Sequence, residues 1–302
     1  MAKKDTLLER AKREVLGFSE LYEKVRTNVL LSGKSESTLN NYTKTTAKLS
    51  LYFGCTPLEL TDAQINDYLL MLRDNAYENN APSLSYFKHT VYGLRYLFRL
   101  VGREDKAIRL PSIKKIKELP SVLSREECRR LFRVPKLLKH RILLSLIYST
   151  GLRCAEARAL ELRDIDFDRM QIHIRQGKGK KDRYVPLAKN MVVGLKKYYQ
   201  ACQPVKFVFN GHAVGSPMSQ RGMQYAIQEA VKKAEILKRV HLHTLRHSYA
   251  THLVEDGLDV YTIQHLLGHE NIQSTLIYLH VAHKVEKIAH SPFDTLYPNL
   301  KS

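Results

Sequence analysis

Residues able to do chemistry concentrate in the stretch HTLRHSYATHLVEDGLDVYTIQHLLGHENIQSTLIYLH, which runs from His243 to His280 and holds six histidines and three tyrosines. His243 and Arg246 are three residues apart, so a helix here would place an imidazole and a guanidinium on the same face. A guanidinium is a planar fork of donors that suits an oxyanion. The pair therefore predicts a site that binds a phosphate.

Two upstream segments offer further groups for phosphoryl transfer. In TGLRCAEARAL, Arg153 follows a glycine turn and opens a helix, and Glu156 lies three residues later, within reach of its guanidinium. In RQGKGKKDRYVPL, alternating residues flank a Gly-Lys-Gly turn and predict a hairpin with Lys178 at its tip, where an ammonium could deliver a proton. Each segment alone is a common surface feature, but with Tyr278 they form an ordered set.

The histidines of this stretch could also serve as metal ligands or as ordinary polar residues. His265 and His269 have the i, i+4 spacing of zinc ligands, but Gly268 lies between them and no Glu follows His265, so no metal site is predicted. Tyr261 lies on the apolar face of VYTIQHLL and is interpreted as a core residue rather than a rival nucleophile. Five histidines are interpreted as ordinary polar or capping residues: His247, His252, His265, His280 and His283.

Composition and charge limit the classes of protein that this chain can be. Its 302 residues predict two domains, and 49 Lys and Arg against 30 Asp and Glu give a net charge of +19. Such a charge indicates a polyanionic partner, nucleic acid before a membrane surface, although a basic protein without such a partner stays an alternative on charge alone. No apolar run or leader pattern is found, so a cytoplasmic location is expected. The four cysteines include no CxxC pair, which indicates neither a zinc ribbon nor a disulfide framework.

The hydrophobic pattern predicts a mainly α chain with a small β-hairpin, in the α+β class. Residues 1–102 read as helices, with starts near Ser37, Thr61 and Ser83 after a helical stretch over residues 5–31. Residues 103–120 hold two prolines and six basic residues without a period, which predicts an exposed basic linker. Residues 121–302 form the second predicted domain, which carries +13 of the net charge.

The second predicted domain also shows local helix signals. Ser124 and Glu127 have the spacing of a capping box at its first helix. The following stretch LLKHRILLSLIYSTG predicts a buried helix that Gly151 ends. The segment with Arg153 follows directly, so the candidate chemistry begins where this buried helix stops.

The order of these motifs resembles that of the tyrosine recombinases, the phage integrase family. That family has an Arg after a Gly-Leu turn, a Lys on a hairpin, His-x-x-Arg, Leu-Gly-His and a Tyr nine residues later. The matching positions are Arg153, Lys178, His243 with Arg246, His269 and Tyr278. The resemblance covers nearly the whole chain and is closest to the Xer-like and integron-like branches. The chain differs from integron integrases in having only a short loop where they carry a helical insert, between the hairpin and His243.

The resemblance implies a fold and a reaction. A helical, SAM-like core-binding domain and a mixed catalytic domain would close as a C-shaped clamp on double-stranded DNA. The protein would be a site-specific recombinase that works as a tetramer on two sites with inverted half-sites, through a Holliday junction, to integrate, excise or resolve DNA. It would need no metal, ATP or other cofactor. The resemblance leaves room for an accessory protein.

The resemblance also implies roles at the phosphate. Arg153 and Arg246 would clamp the two non-bridging oxygens, where charge develops in the transition state. His269 would donate a hydrogen bond to a phosphate oxygen. Glu156 would support the Arg153 guanidinium rather than carry a proton.

The remaining roles concern the nucleophile and the leaving group. Tyr278 would attack the phosphodiester and form a 3′-phosphotyrosyl link with release of a 5′-hydroxyl. Lys178 would protonate the departing 5′-oxygen. His243 would assist removal of the proton from the tyrosine hydroxyl, although the division of labour between His243 and His269 is left open.

Further residues are expected to bind DNA or to join protomers. The predicted DNA contacts are Lys44, Lys48, Lys88, Arg95, Lys180, Arg221 and Gln224. After Tyr278, Val281, Val285 and Ile288 fall on one face of a short predicted helix, at about residues 281–290. This stripe needs a partner surface, and the resemblance favours a neighbouring protomer over the chain's own catalytic domain.

Three other classes of protein remain as alternatives. A type IB topoisomerase shares the chemistry but acts as a monomer, and the long tail beyond Tyr278 argues against it. A DNA-binding regulator and a structural nucleoid protein would both bind without chemistry. The complete active-site set argues against these two, because a binding module has no use for a nucleophile.

Overall fold

The computed structural model describes residues 5–74, 84–112, 119–175 and 182–282, and the chain forms two compact units that divide between Ile116 and Lys117. Both units are mainly helical, and a small antiparallel sheet lies in the second. The predicted α+β class is therefore confirmed. Over the described residues, no helix combines the length and apolar character needed to cross a membrane.

The first unit is built from helices. They are α1 (Leu7–Glu14), α2 (Phe18–Leu31), α3 (Glu36–Phe53), α4 (Asp62–Asp74), α5 (Leu84–Leu100) and α6 (Glu104–Arg109). The helical pattern over residues 5–31 is two helices rather than one, because Gly17 takes a left-handed conformation with φ of +76°. The N-cap of α3 is Ser35, two residues before the predicted start, and its hydroxyl accepts from the Thr38 amide.

Helix α3 lies at the centre of this unit, packed against α1 and α5. A Cβ atom on Gly93 of α5 would lie 3.1 Å from the Thr45 hydroxyl oxygen and 3.3 Å from the Tyr42 carbonyl oxygen of α3. The small residue therefore allows the two helix backbones to approach closely. Leu49, Leu94 and Phe98 are fully buried in the core beside this contact.

The start of the predicted linker belongs to this first unit. Ala107 and Leu110 are buried, and the guanidinium of Arg95 on α5 donates to the carbonyl oxygens of Leu110 at 3.1 Å and Pro111 at 3.0 Å. The sequence predicted no regular element here, because a six-residue helix is too short to show a period, whereas Glu104–Arg109 is helical and four of its residues are exposed. Residues 113–118 lie outside the described part.

The second unit surrounds the buried helix α8. Its helices are α7 (Arg125–Arg133), α8 (Leu138–Thr150), α9 (Cys154–Ala159), α10 (Lys189–Cys202), α11 (Gln220–Lys233), α12 (Leu242–Glu255), α13 (Val260–Leu267) and α14 (Gln273–Leu276). The capping box of Ser124 and Glu127 forms as predicted, with hydrogen bonds of 2.7 and 3.1 Å. Helix α8 packs against α10, α11 and α12.

The predicted hairpin is confirmed as part of a three-stranded antiparallel sheet. Its strands are β1 (Ile165–Asp166), β2 (Gln171–Ile174) and β3 (Arg183–Pro186), in the order β1-β2-β3. Ile172 pairs with Val185 on the buried face. Strand β1 was not predicted, because two residues are too few to show alternation.

Gly151 brings the active-site segments together. It ends α8 with φ of +64°, and a Cβ atom there would lie 2.6 Å from a ring carbon of Tyr249 on α12 and 2.8 Å from Leu267 on α13. No larger residue fits without movement of these side chains. The chain can therefore turn directly from α8 into Arg153 while α12 and α13 pack against the turn.

Candidate active site

Three consecutive carbonyl oxygens at the C-terminal end of α13 each accept a hydrogen bond from a different arginine. The pairs are Arg183 with Leu266 at 2.9 Å, Arg246 with Leu267 at 2.8 Å, and Arg153 with Gly268 at 2.9 Å. Helix ends leave such carbonyls unpaired, and their partial negative charge favours cations. Gly268 ends the helix with φ of +62°. The LLGH turn thus gathers guanidiniums from three distant parts of the chain.

Arg246 is held at two points. It is 2% exposed, and besides Leu267 it donates to the Gly151 carbonyl oxygen at 2.6 Å. Burial, together with repulsion from Arg153, lowers the pKa of Arg246 to about 10, so it remains charged at neutral pH. A guanidinium has five N–H groups, so two such bonds fix its plane without exhausting its donors.

Glu156 joins two of the arginines. Its carboxylate accepts from Arg153 at 2.7 Å, the contact that the spacing predicted, and from both terminal nitrogens of Arg183 at 3.0 and 2.8 Å. Burial alone would raise the pKa of Glu156, but the hydrogen bonds from Arg183 and Arg153 lower it to about 2. The carboxylate is therefore a fixed negative charge that orients Arg153.

Arg183 is missing from the sequence predictions. Its side chain is 5% exposed, and it lies on the buried face of β3 together with Val185. The alternation of the hairpin carries the information that could have identified it, since a period of two places residues 183 and 185 on one face. An arginine at an inward position of a strand requires a buried acidic partner.

Tyr278 lies beside the arginines. It follows α14 in a 3₁₀ turn over Ile277–His280 and is 1% exposed. Burial raises the pKa of its hydroxyl, while Arg246 and Arg153 act in the opposite direction. Its ring stacks on that of His269, with ring centres 6.3 Å apart and planes 16° apart. The tyrosine thus lies within the electrostatic reach of both guanidiniums.

His247 contacts the hydroxyl of Tyr278 directly. Its Nδ1 atom lies 3.0 Å from the tyrosine oxygen. Burial, followed by repulsion from His243 and His241, lowers the pKa of His247 to about 4. The sequence interpretation of His247 as an ordinary polar residue did not anticipate this contact. Its position one turn after His243, on the same helix face, is the sequence feature that could have identified it.

The other two histidines of the predicted set line the same region. His243, at the start of α12, is exposed over part of its surface. Partial burial of its ring, followed by repulsion from Arg246, lowers its pKa. The Nδ1 atom of His269 lies 2.8 Å from the hydroxyl of the fully buried Thr275. Burial, with repulsion from Arg246 and Arg153, lowers the pKa of His269 to about 3. Thr275 fixes the His269 ring and was not predicted.

Some residues named in the sequence analysis are not part of the site that the structure describes. Lys178, Lys180 and tail residues 283–302 lie outside the described part of the chain. Tyr261 is 77% exposed, so its interpretation as a core residue is wrong. Helix α13 turns it toward solvent because Ile263 and Leu267 supply the buried face.

The predicted DNA contacts differ in their surroundings. Four are exposed, namely Lys44, Lys48, Arg221 and Gln224, and Lys88 is half-buried. The Lys48 ammonium also lies over the ring of Tyr86, 5.0 Å from its centre. Arg95 has an internal partner set, since its guanidinium binds carbonyl oxygens of the α6 segment. Its place in the fold is therefore structural, which the sequence prediction of a DNA contact did not anticipate.

Two partly buried histidines predict an acid-sensitive fold. The pKa values of His247 and His269, about 4 and about 3, lie below the ordinary value near 6.5. Below about pH 6.5 these histidines are protonated in the unfolded chain but not in the folded chain. As the pH is lowered, the free energy of unfolding should therefore fall by up to about 1.4 kcal/mol per pH unit for each histidine. Urea unfolding between pH 7 and pH 4 measures this slope.

The matched variants for this prediction are His269→Gln and His265→Gln. His269→Gln should flatten the slope between pH 6.5 and pH 4, whereas His265→Gln, which alters an exposed residue of α13, should leave it unchanged. Equal slopes in all three proteins would show that the partly buried ring of His269 is not what makes the fold acid-sensitive.

Comparison with known proteins agrees with this geometry. Residues 121–284 match the model of the phage integrase family, and residues 21–107 match the N-terminal SAM-like domain of phage integrases. A tyrosine recombinase XerA of Thermococcus kodakarensis is 35% identical over 268 residues, covering 87% of this chain and 91% of the relative. The chain therefore belongs to the phage integrase family of tyrosine recombinases, enzymes that cleave and rejoin DNA through a tyrosine.

Solved structures share the fold. A XerH site-specific recombinase bound to a palindromic difH substrate gives a TM-score of 0.68 at 20% identity, covering 91% of this chain and 84% of that chain. A lambda integrase dimer bound to a core site gives 0.69 at 19% identity, covering 86% and 94%. The fold and the family together identify site-specific DNA recombination as the reaction class.

Proposed function

We propose that Tyr278 is the nucleophile of this recombinase and that Arg153 and Arg246 hold the scissile phosphate. The observation that carries the proposal is the LLGH turn, which fixes both guanidiniums through the carbonyl oxygens of Leu267 and Gly268 next to the buried tyrosine. Donors fixed before the reaction need no reorganisation when charge develops on the phosphate oxygens. The site is therefore organised for phosphoryl transfer.

The reaction is a pair of transesterifications. The Tyr278 oxygen bonds to phosphorus, the bond from phosphorus to the 5′-oxygen breaks, and Lys178 protonates that oxygen as it leaves. The product is a 3′-phosphotyrosyl link and a free 5′-hydroxyl, which attacks the corresponding link in the partner duplex. Because each step exchanges one phosphoester for another, the energy of the bond is conserved and ATP has no role.

The proposed partner is double-stranded DNA with inverted half-sites. The XerH structure is a complex with a palindromic difH substrate, and the lambda integrase structure is a dimer bound to a COC′ core site. The net charge of this chain is +19 and lies mostly in residues 121–302, so attraction to phosphates is expected. Two duplexes must meet for strand exchange, and we propose a tetramer that works through a Holliday junction.

Covalent capture tests the proposed function. The protein is incubated with a pool of nicked duplexes that carry randomised flanking sequence, and adducts are separated by denaturing electrophoresis. The nick lets the short 5′ fragment diffuse away, so the 3′-phosphotyrosyl product accumulates. The adduct should survive denaturation and yield a Tyr278 peptide linked to a nucleotide. The absence of any adduct, with DNA binding intact, would exclude the recombinase reaction.

Salt dependence separates phosphate contacts from structural arginines. The affinity for duplex should fall steeply with salt, and Arg221→Gln should reduce the slope of log affinity against log salt by about 1. Arg95→Gln is the matched control, because its guanidinium binds carbonyl oxygens inside the first unit and should leave the slope unchanged. Equal slopes for Arg221→Gln and the unmodified protein would remove Arg221 from the DNA interface.

Truncation after Val281 tests the proposed exchange of the tail. It removes residues that lie almost wholly outside the described part and leaves Tyr278 with its buried surroundings. The truncated protein should bind one half-site as a monomer and lose cooperative binding of the second half-site, together with recombination. Full recombination by the truncated protein would show that the tail docks on its own chain or not at all.

A further inference from the structure

One imidazole outside the proposed catalytic set contacts the reacting oxygen. The Nδ1 atom of His247 lies 3.0 Å from the Tyr278 hydroxyl oxygen, and the ring centres are 5.7 Å apart. A phenol has one proton to donate, and a neutral imidazole accepts at one nitrogen while it carries a proton at the other. The 3.0 Å between this nitrogen and the tyrosine oxygen is a hydrogen-bond distance, as expected between a general base and the atom whose proton it takes.

The other nearby histidines are arranged differently. His243 is exposed, and its ring centre lies 6.2 Å from that of His247. His269 lies nearly parallel to the tyrosine ring, and its Nδ1 atom pairs with Thr275. Of the three, His247 alone has a hydrogen bond to the tyrosine oxygen among the described contacts.

We propose that His247 accepts the proton of Tyr278 during DNA cleavage, an inference that rests on the proposed role of Tyr278 as nucleophile. The O–H bond of Tyr278 breaks as its oxygen bonds to phosphorus, and the proton moves to Nδ1 of His247. The bond to the 5′-oxygen breaks at the same phosphorus, and that oxygen takes its proton from Lys178. In rejoining, His247 returns the proton to the departing tyrosine oxygen.

The surroundings of His247 prepare it for this role. The groups that face it are His241, His243 and Arg246 on its own helix, Tyr278 from the 3₁₀ turn and His269 from the end of α13. None of these carries negative charge at neutral pH. Burial, followed by repulsion from His243, His241 and Arg246, keeps His247 unprotonated. A phosphodiester bound to Arg246 brings a negative charge that favours the imidazolium. Substrate binding therefore raises the proton affinity of His247 when the proton must move.

The test is single-turnover cleavage by His247→Asn on the nicked duplex. The amide of Asn occupies the place of Nδ1, so the hydrogen bond to Tyr278 can form but the proton cannot be accepted. Cleavage at pH 7 should slow by about 10²- to 10³-fold. His247→Gln is a second neutral variant with the same expectation, and His265→Asn is the control at an exposed position.

The pH profile distinguishes proton transfer from positioning. The rate of His247→Asn should rise about tenfold per pH unit between pH 6 and pH 9, because the phenolate must then form by loss of its proton to solvent. The unmodified protein should change far less over this range. Cleavage by His247→Asn at the unmodified rate, with the unmodified pH profile, would overturn the proposal.

A modified substrate separates the two ends of the reaction. Sulfur in place of the bridging 5′-oxygen leaves without a proton, so it should restore cleavage by Lys178→Met but not by His247→Asn. Restoration of His247→Asn would place His247 at the leaving group and overturn the proposal. Tyr278→Phe must be inert with both substrates, and adducts from it would overturn the proposed function itself, whatever His247 does.

Discussion

Tyr278→Phe is expected to abolish the covalent protein–DNA adduct and to leave DNA binding nearly unchanged. The variant loses one hydroxyl, so cleavage should fall by more than about 10⁴-fold. The ring itself stays packed with Tyr249, Ile263 and Leu267 and stacked on His269. Loss of the hydrogen bond to His247 should cost about 1 kcal/mol of unfolding free energy. Denaturing electrophoresis measures the adduct, and native electrophoresis measures binding.

The matched control is Tyr261→Phe. Tyr261 is 77% exposed, in contrast to the buried Tyr278, and its hydroxyl should have no part in cleavage. The control should therefore form adducts at the unmodified rate. If instead Tyr261→Phe is inactive and Tyr278→Phe forms adducts, the nucleophile has been assigned to the wrong tyrosine.

Arg183→Met is expected to destabilise the fold and to impair cleavage together. The side chain fills the space beneath Gly268 and neutralises Glu156, whose carboxylate is 6% exposed. Removing one partner leaves a buried charge with a single remaining arginine, so the free energy of unfolding should fall by about 3 to 5 kcal/mol. Arg153 loses the fixed carboxylate that orients it, so cleavage should slow even where the variant is folded. Urea unfolding and single-turnover cleavage are the measurements.

A control variant and a double variant make this prediction specific. Arg129→Met removes an arginine whose side chain is 66% exposed and paired with the 60%-exposed Glu126, and it should cost only about 1 kcal/mol or less. The double variant Arg183→Met with Glu156→Gln removes both charges and should be less destabilised than the sum of the two single variants. Additive losses would show that the arginine and the carboxylate do not act as a pair.

Much of the fold follows from short-range features of the sequence. The capping box at Ser124, the glycine end of α8 and the alternation around the hairpin each act within a few residues, so reading them in order predicts the elements. The failures have the same origin. Strand β1 and helix α6 are too short to show a period, and the left-handed Gly17 divides a helical pattern that looks continuous.

Part of the candidate site can also be predicted from the sequence. Residue types and their order indicate Arg153, Arg246, His269 and Tyr278, because phosphoryl transfer to a tyrosine needs cations and a nucleophile in one set. The spacing also indicates the contact from Glu156 to Arg153, since residues three apart on a helix are neighbours. These inferences need no knowledge of how distant segments pack.

The sequence by itself determined the α+β class, the family and the order of the catalytic motifs, because each depends on residues close along the chain or on matched residue types. Only the tertiary structure decided which groups contact them. Arg183 meets Glu156 across 27 positions, His247 meets Tyr278 across 31, and Arg153 meets Gly268 across 115. Such contacts form because the buried carboxylate, the tyrosine hydroxyl and the helix-end carbonyls must find partners once water is excluded.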